Sequence, residues 1–97
     1  MTCMDTQNRI TITSNIREVC NINFEQEVRI YLYEKNNCSY LLLSNSKDLK
    51  YPCFGILHFD HRYRFFLSKE LRRYLGIQPK EKFLIYSLCG NLLLKRL

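Results

Sequence analysis

Apolar positions along the chain fall into short alternating runs, each bounded by polar or turn-forming residues, and the pattern calls for strands more than for long helices. The second half is the clearer. Phe54–Phe59 reads as an extended stretch, Asp60–Tyr63 as a turn and Arg64–Leu67 as a strand. Ser68 can give its hydroxyl oxygen to an orphan amide of a first helical turn, so a short helix is expected over Lys69–Leu75. Leu71, Tyr74 and Leu75 would share one face of it, at i, i+3 and i+4. Gly76 ends that helix, because glycine accepts a positive φ. Gln78–Lys82, with Pro79, makes a turn; Phe83–Leu88 and Leu92–Arg96 are then strands joined through Cys89-Gly90-Asn91.

The same order recurs earlier. Laying the chain on itself so that Asp5 falls on Asp60 also places Arg9 on Arg64, Arg17 on Arg72, Ile22 on Ile77, Ile30 on Ile85 and Tyr31 on Tyr86. Ile10–Thr13 then falls on Phe65–Ser68, Ile16 on Leu71, Val19 on Tyr74 and Val28 on Phe83. After Tyr31 the first copy carries extra residues, and Leu41–Leu43 matches Leu92–Leu94. In this copy Thr13 or Ser14 caps a helix through Ile16, Val19 and Cys20, and Val28–Glu34 and Ser39–Leu43 are the later strands. The expected organisation is one domain over residues 1–97, built from repeats at 1–43 and 54–97 joined by a polar connector at 44–53. Each repeat reads β-β-α-β-β. A unit this small leaves too much apolar face uncovered to stand alone, so the two repeats are expected to close one β-structure with pseudo-two-fold symmetry.

Charge changes the picture more than composition does. The chain carries 15 Lys+Arg against 9 Asp+Glu, a net +6 that points to a polyanionic partner. Asp5–Leu43 holds four basic and five acidic residues, whereas Asp60–Leu97 holds nine basic and three acidic. Arg62, Arg64, Lys69, Arg72 and Arg73 crowd one stretch, interleaved with Tyr63, Phe65, Phe66 and Tyr74. The five cysteines (Cys3, Cys20, Cys38, Cys53, Cys89) form no CxxC pair or zinc spacing, and are expected to be reduced, mostly buried small hydrophobes of a cytoplasmic protein. No apolar run nears the roughly 20 residues of a membrane helix, and Met1–Thr6 does not read as a signal peptide.

The stretch Asp60-His-Arg-Tyr-Arg64, Phe-Phe-Leu, then Lys69-Glu-Leu-Arg-Arg-Tyr-Leu-Gly-Ile77, Lys80, Ile85-Tyr86 and Leu92–Arg96 resembles the swapped-hairpin family of AbrB, SpoVT and MazE-type DNA-binding domains. The resemblance implies a mostly β chain with two short helices, its two repeats exchanging hairpins in a β-barrel. It also implies duplex-DNA binding in transcription regulation, through Arg64, Arg72 and Arg73, with Arg9 and Arg17 at the matching places of the first repeat; the basic stretch itself adds Arg62 and Lys69 as candidate phosphate contacts. Glu18 stands where the second repeat has Arg73, so the second repeat is expected to dominate. Tyr63 and Asn8 occupy a place where the family usually has Gly; Asn accepts a left-handed turn and Tyr does so poorly, so the second loop is expected to differ.

The acids suit another role. Asp5 and Asp60 fit Asx turns, in which a carboxylate bonds backbone amides two residues on. For Arg9 and Arg64, ion pairing and phosphate contact both stay open. His58 and His61 flank Asp60 but do not converge as metal ligands, and no metal or cofactor is expected. No GxSxG, HExxH or phosphate loop occurs, so catalysis is not expected. The tyrosines and phenylalanines mostly alternate as core and cross-strand partners do, rather than forming a stacking platform. A monomeric pseudo-dimer or a homodimer would serve DNA binding. The alternative is an antitoxin-like or protein-binding scaffold without DNA.

Overall fold

A computed structural model describes residues Met1–Leu97 as ten short elements. Strands β1 (Thr2–Cys3) and β2 (Arg9–Thr11) lead into helix α1 (Ser14–Val19), followed by β3 (Val28–Lys35) and β4 (Cys38–Ser44). The second half repeats the order: β5 (Cys53–Leu57), β6 (Arg64–Phe66), α2 (Lys69–Leu75), β7 (Lys82–Leu88) and β8 (Asn91–Arg96). The chain is therefore mostly β with two short helices. Its radius of gyration of 12.3 Å matches the roughly 12.5 Å of a folded chain this long.

Local signals explain most boundaries. Ser68 Oγ accepts from the Leu71 amide at 3.2 Å, and Gly76 closes α2 at φ 67° with its N–H bonded to Arg72 and Arg73 carbonyls. Helix α1 has Thr13 at its N-cap but no side-chain cap bond, and it ends on extended Cys20 instead of a glycine. Val19 and Tyr74, at matching places on the two helices, are 66 % and 62 % exposed; Ile16, Leu71 and Leu75 do the packing. Two-residue turns with both φ positive close the hairpins, Asn36-Asn37 between β3 and β4 and Cys89-Gly90 between β7 and β8. That is the turn geometry whose twist suits a tight hairpin.

Six strands pair in the order β1-β7-β8-β4-β3-β5, and β2 and β6 form a separate antiparallel ribbon. The first strand of each half pairs with the third strand of the other: Thr2 faces Phe83 and Leu57 faces Val28. The last strands meet in the middle, Leu41 opposite Leu94 and Leu43 opposite Leu92. Across β2 and β6, Ile10 faces Phe65. These registers obey the same offset that aligns the two halves in sequence.

One face of the sheet, through Ile30, Leu43, Phe83, Ile85, Leu92 and Leu94, packs on Ile10, Ile12, Phe65 and Leu67 of the ribbon and on Leu71. Both halves thus contribute to one core. The opposite face holds a smaller cluster of Tyr31, Leu42 and Leu93, with Leu49 of the connector packed on it. Tyr31 Oη donates to the Ser46 carbonyl at 2.6 Å, and the Leu32 amide bonds the Pro52 carbonyl at 2.9 Å. The connector is therefore a packed cover over β3 and β4.

Two expectations are corrected. The barrel is not closed, for β1 and β5 are open edges and the ribbon does not continue the ladder. Between β1 and β2, and again between β5 and β6, the chain turns sharply at an aspartate, with Asn8 and Tyr63 left-handed at φ 62° and 57°. In those turns the Gln7, Arg9, Arg62 and Arg64 amides bond the aspartate carboxylates instead of a neighbouring strand. The cysteines are not buried either: Cys3, Cys38, Cys53 and Cys89 are exposed and Cys20 half-buried, all as free thiols. The four exposed ones sit on edge strands, at a strand start and in a hairpin turn, where no core reaches them, while Cys20 at the end of α1 packs against the edge of the core. No helix is long and apolar enough to cross a membrane.

Candidate nucleic-acid interface

The two aspartate turns are built alike. Asp5 Oδ1 accepts from the Gln7 and Arg9 amides at 2.9 Å, and Oδ2 takes the Arg9 Nε at 2.9 Å. Asp60 Oδ1 accepts from Arg62 and Arg64 amides at 2.9 and 3.0 Å, and Oδ2 takes the Arg64 Nε at 2.7 Å. The Arg64 amide, opposed by some desolvation and aided by the Arg64 side chain and the Arg62 amide, holds the Asp60 carboxyl down at about 2. At Asp5 burial pushes upward, but the bonds from Arg9 and Gln7 outweigh it and the carboxyl also lies below its ordinary value. Both turns are Asx turns, with the carboxylate committed to the chain's own donors. Arg9 and Arg64 each use Nε for the pair, and their terminal nitrogens make no bond within the chain.

The loops lock onto the opposite strand of the ribbon. Ile12 donates its amide to the Tyr63 carbonyl and Leu67 donates to the Asn8 carbonyl, each at 2.9 Å. Tyr63 adopts the same left-handed turn as Asn8, so the second loop does not differ as expected. The strain is offset by contacts of its ring: Arg17 Cζ lies 3.9 Å from the ring centroid, and Phe24 packs edge-on at 5.6 Å.

Strand alternation puts Ile10, Ile12, Phe65 and Leu67 inside, leaving Arg9, Thr11, Arg64 and Phe66 on the outer side of the ribbon. Arg9 is paired with Phe66, and Thr11 with Arg64. Each helix adds one more arginine to this face. Arg72 Nε donates to the Leu67 carbonyl at 2.9 Å with its Cζ 5.4 Å from the Phe66 ring, and Arg17 Nη1 donates to the Ile12 carbonyl at 3.4 Å. Arg9, Arg17, Arg64 and Arg72 thus form a two-fold set around the ribbon, each oriented by at least one fixed hydrogen bond. Phe66, 56 % exposed at its centre, joins them although it reads in sequence as part of an apolar triplet. Period-two alternation from Arg64 is the signal that places it outside.

The cationic stretch of the second half does not form one patch. Arg62 is exposed on the turn. Lys69 and Arg73 lie with Phe54, Glu70 and Tyr74 in a groove between α2 and β5, around the helix from Arg72. Glu18, at the place of Arg73, is exposed on α1. Arg96 is structural: its Nε and Nη2 donate to the two carboxylate oxygens of Glu81, and its Nη1 and Nη2 donate to the Leu75 and Gly76 carbonyls, tying the final strand to the C-terminus of α2. Asn45 does the matching work in the first half, bonding Asn23 and Glu27. No protein-family model matches the chain, nor does any curated protein or solved structure.

Proposed function

We propose that this chain is a DNA-binding transcriptional regulator of the swapped-hairpin type, folded as a pseudo-dimer from one polypeptide. The observation that carries the reading is the two-fold set of four arginines around an outward-facing ribbon. Anions find free guanidinium nitrogens there on side chains whose direction is already fixed, which reduces the ordering cost of binding. An antiparallel two-stranded ribbon also has the dimensions to enter a major groove. The exchange of first strands between the halves supports the family assignment, and the net charge of +6 supports a polyanionic partner. Arg62, with Lys69 and Arg73 to the side, would add phosphate contacts to the second half only.

Fluorescence-anisotropy titration against random and AT-rich duplexes, over about 50–300 mM salt, tests this. Binding should weaken steeply with salt, at roughly 0.9 in log–log slope per phosphate contacted. Replacing Arg72 by Gln should lower the slope by about 0.9 while leaving the core and the Tyr63 loop untouched. No binding at the lowest salt would overturn the reading and favour a protein-binding scaffold, which the exposed Glu18 on α1 also suits.

A further inference from the structure

The free edge of β5 and the side of α2 facing it lie apart from the arginine ribbon. Natural sheets blunt exposed edges with charges, internal prolines or very short strands. The opposite edge follows that rule, since β1 is only two residues long. Strand β5 has none of these: its five residues, Cys53-Phe-Gly-Ile-Leu57, carry no charge and no proline, its outer side has no strand partner, and its one irregularity is a register shift on the β3 side, between Arg29 and Tyr31. Cys53, Gly55 and Ile56 are exposed, and around Gly55, at φ 115°, nothing lies within 4 Å of where a Cβ would project.

Beside this edge runs the groove of Phe54, Lys69, Glu70, Arg73 and Tyr74. The Phe54 and Tyr74 rings touch at a centroid distance of 6.3 Å, and Tyr74 is 62 % exposed. Lys69 and Arg73 are exposed, one helical turn apart, and neither forms a salt bridge or side-chain hydrogen bond. The groove therefore has two free cations against one carboxylate. A second copy of this chain would bring the same cations and the same net +6 to the edge, so charge complementarity selects an acidic occupant.

We propose that β5 and the adjoining α2 groove dock an extended acidic segment of a partner protein, added to the sheet as a strand beyond β5. Main-chain bonds to the edge would supply affinity. Alternate side chains would face the groove, carboxylates on Lys69 and Arg73 and an apolar group against Phe54 and Tyr74. This inference uses none of the four ribbon arginines; it shares with the DNA reading only Lys69 and Arg73, which lie to the side of the ribbon.

The test is a nitrogen-15 NMR titration of the full chain with a capped decapeptide alternating Glu with Val, one central Glu replaced by Phe so that the ring shares the carboxylates' face, and with the same peptide bearing Lys for Glu. The acidic peptide should give saturable shifts at Cys53–Leu57 and Lys69–Tyr74, and the basic one none. Lys69→Glu with Arg73→Glu should weaken binding by about ten-fold or more, with an unchanged melting temperature. Because these side chains are unpaired, folding is not at stake; Ile56→Lys, which charges the edge itself, should weaken binding in parallel. Absence of saturable shifts at millimolar peptide would overturn the proposal. So would shifts centred on Arg9, Arg17, Arg64 and Arg72, which would mark the ribbon as a general polyanion site and leave the DNA reading standing. Concentration-dependent dimerisation through β5 without peptide would assign the edge to a second copy instead.

Discussion

Asp60 gathers two backbone amides and a guanidinium onto one carboxylate, and the charge state of that group is therefore linked to folding. Its folded value of about 2 lies below the ordinary 3.8, so the stability it contributes is complete above about pH 4 and is lost as pH falls toward 2. Asp5 acts in the same direction. Asp60→Asn should lower the melting temperature at pH 7, and the gap between variant and native chain should narrow as pH drops from 4 to 2, read by circular dichroism. A gap that persists unchanged at pH 2 would mean that shape, not charge, stabilises the turn. The role of these aspartates was legible in sequence because an Asx turn is a local bond over two to four residues. Tyr63 was not: its left-handed backbone is held by Arg17 and Phe24, which are distant in sequence. The cysteines misled for the opposite reason, since a residue type usually buried says nothing about an edge strand or a turn.

The two helices occupy equivalent places but are held differently. Ser68 caps α2 through its hydroxyl, whereas Thr13 makes no such bond to α1. Ser68→Ala should therefore cost about 1 kcal/mol, and Thr13→Ala less than about 0.5 kcal/mol. For a chain of this size the first corresponds to a fall in melting temperature of about 4–8 °C, measurable by calorimetry. Helix α2 matches its expected span because Ser68 and Gly76 are signals within the segment itself. The strands came close, with β5 two residues short at its far end because the chain bends away at Leu57 into the Asp60 turn. What sequence could not provide is the sidedness of α2. Arg72 and Arg73 are neighbours in one basic run, yet one reaches the ribbon and the other the β5 groove. That division depends on which distant strands flank the helix.

At the scale of the whole molecule the internal repeat was visible in sequence, and the pairing registers obey it, but closure was not: two open edges remain because each aspartate turn lifts β2 and β6 out of the sheet. The repeats are nevertheless interleaved, with β1 held by β7, β5 by β3, and β4 against β8. The core draws Ile10, Ile12, Leu41 and Leu43 from one half and Phe65, Leu71, Phe83 and Leu94 from the other. Neither half can separate without exposing that cluster, at roughly 25 cal/mol for each Å² of apolar surface returned to water. The connector, by contrast, crosses from one half to the other at an exposed point, Lys47–Asp48, while Leu49 packs on the outer cluster. A protease site inserted between Lys47 and Asp48 should therefore be cut without dissociation. The nicked protein should elute at the size of the intact 11.8 kDa chain and retain its strand signal in circular dichroism. Denaturant should release two fragments, and its removal should return one species at a rate that now depends on concentration, because the covalent link that kept the halves at high effective concentration is gone. Separation of the fragments in native buffer would mean that the connector, and not the interleaved strands, holds the halves together.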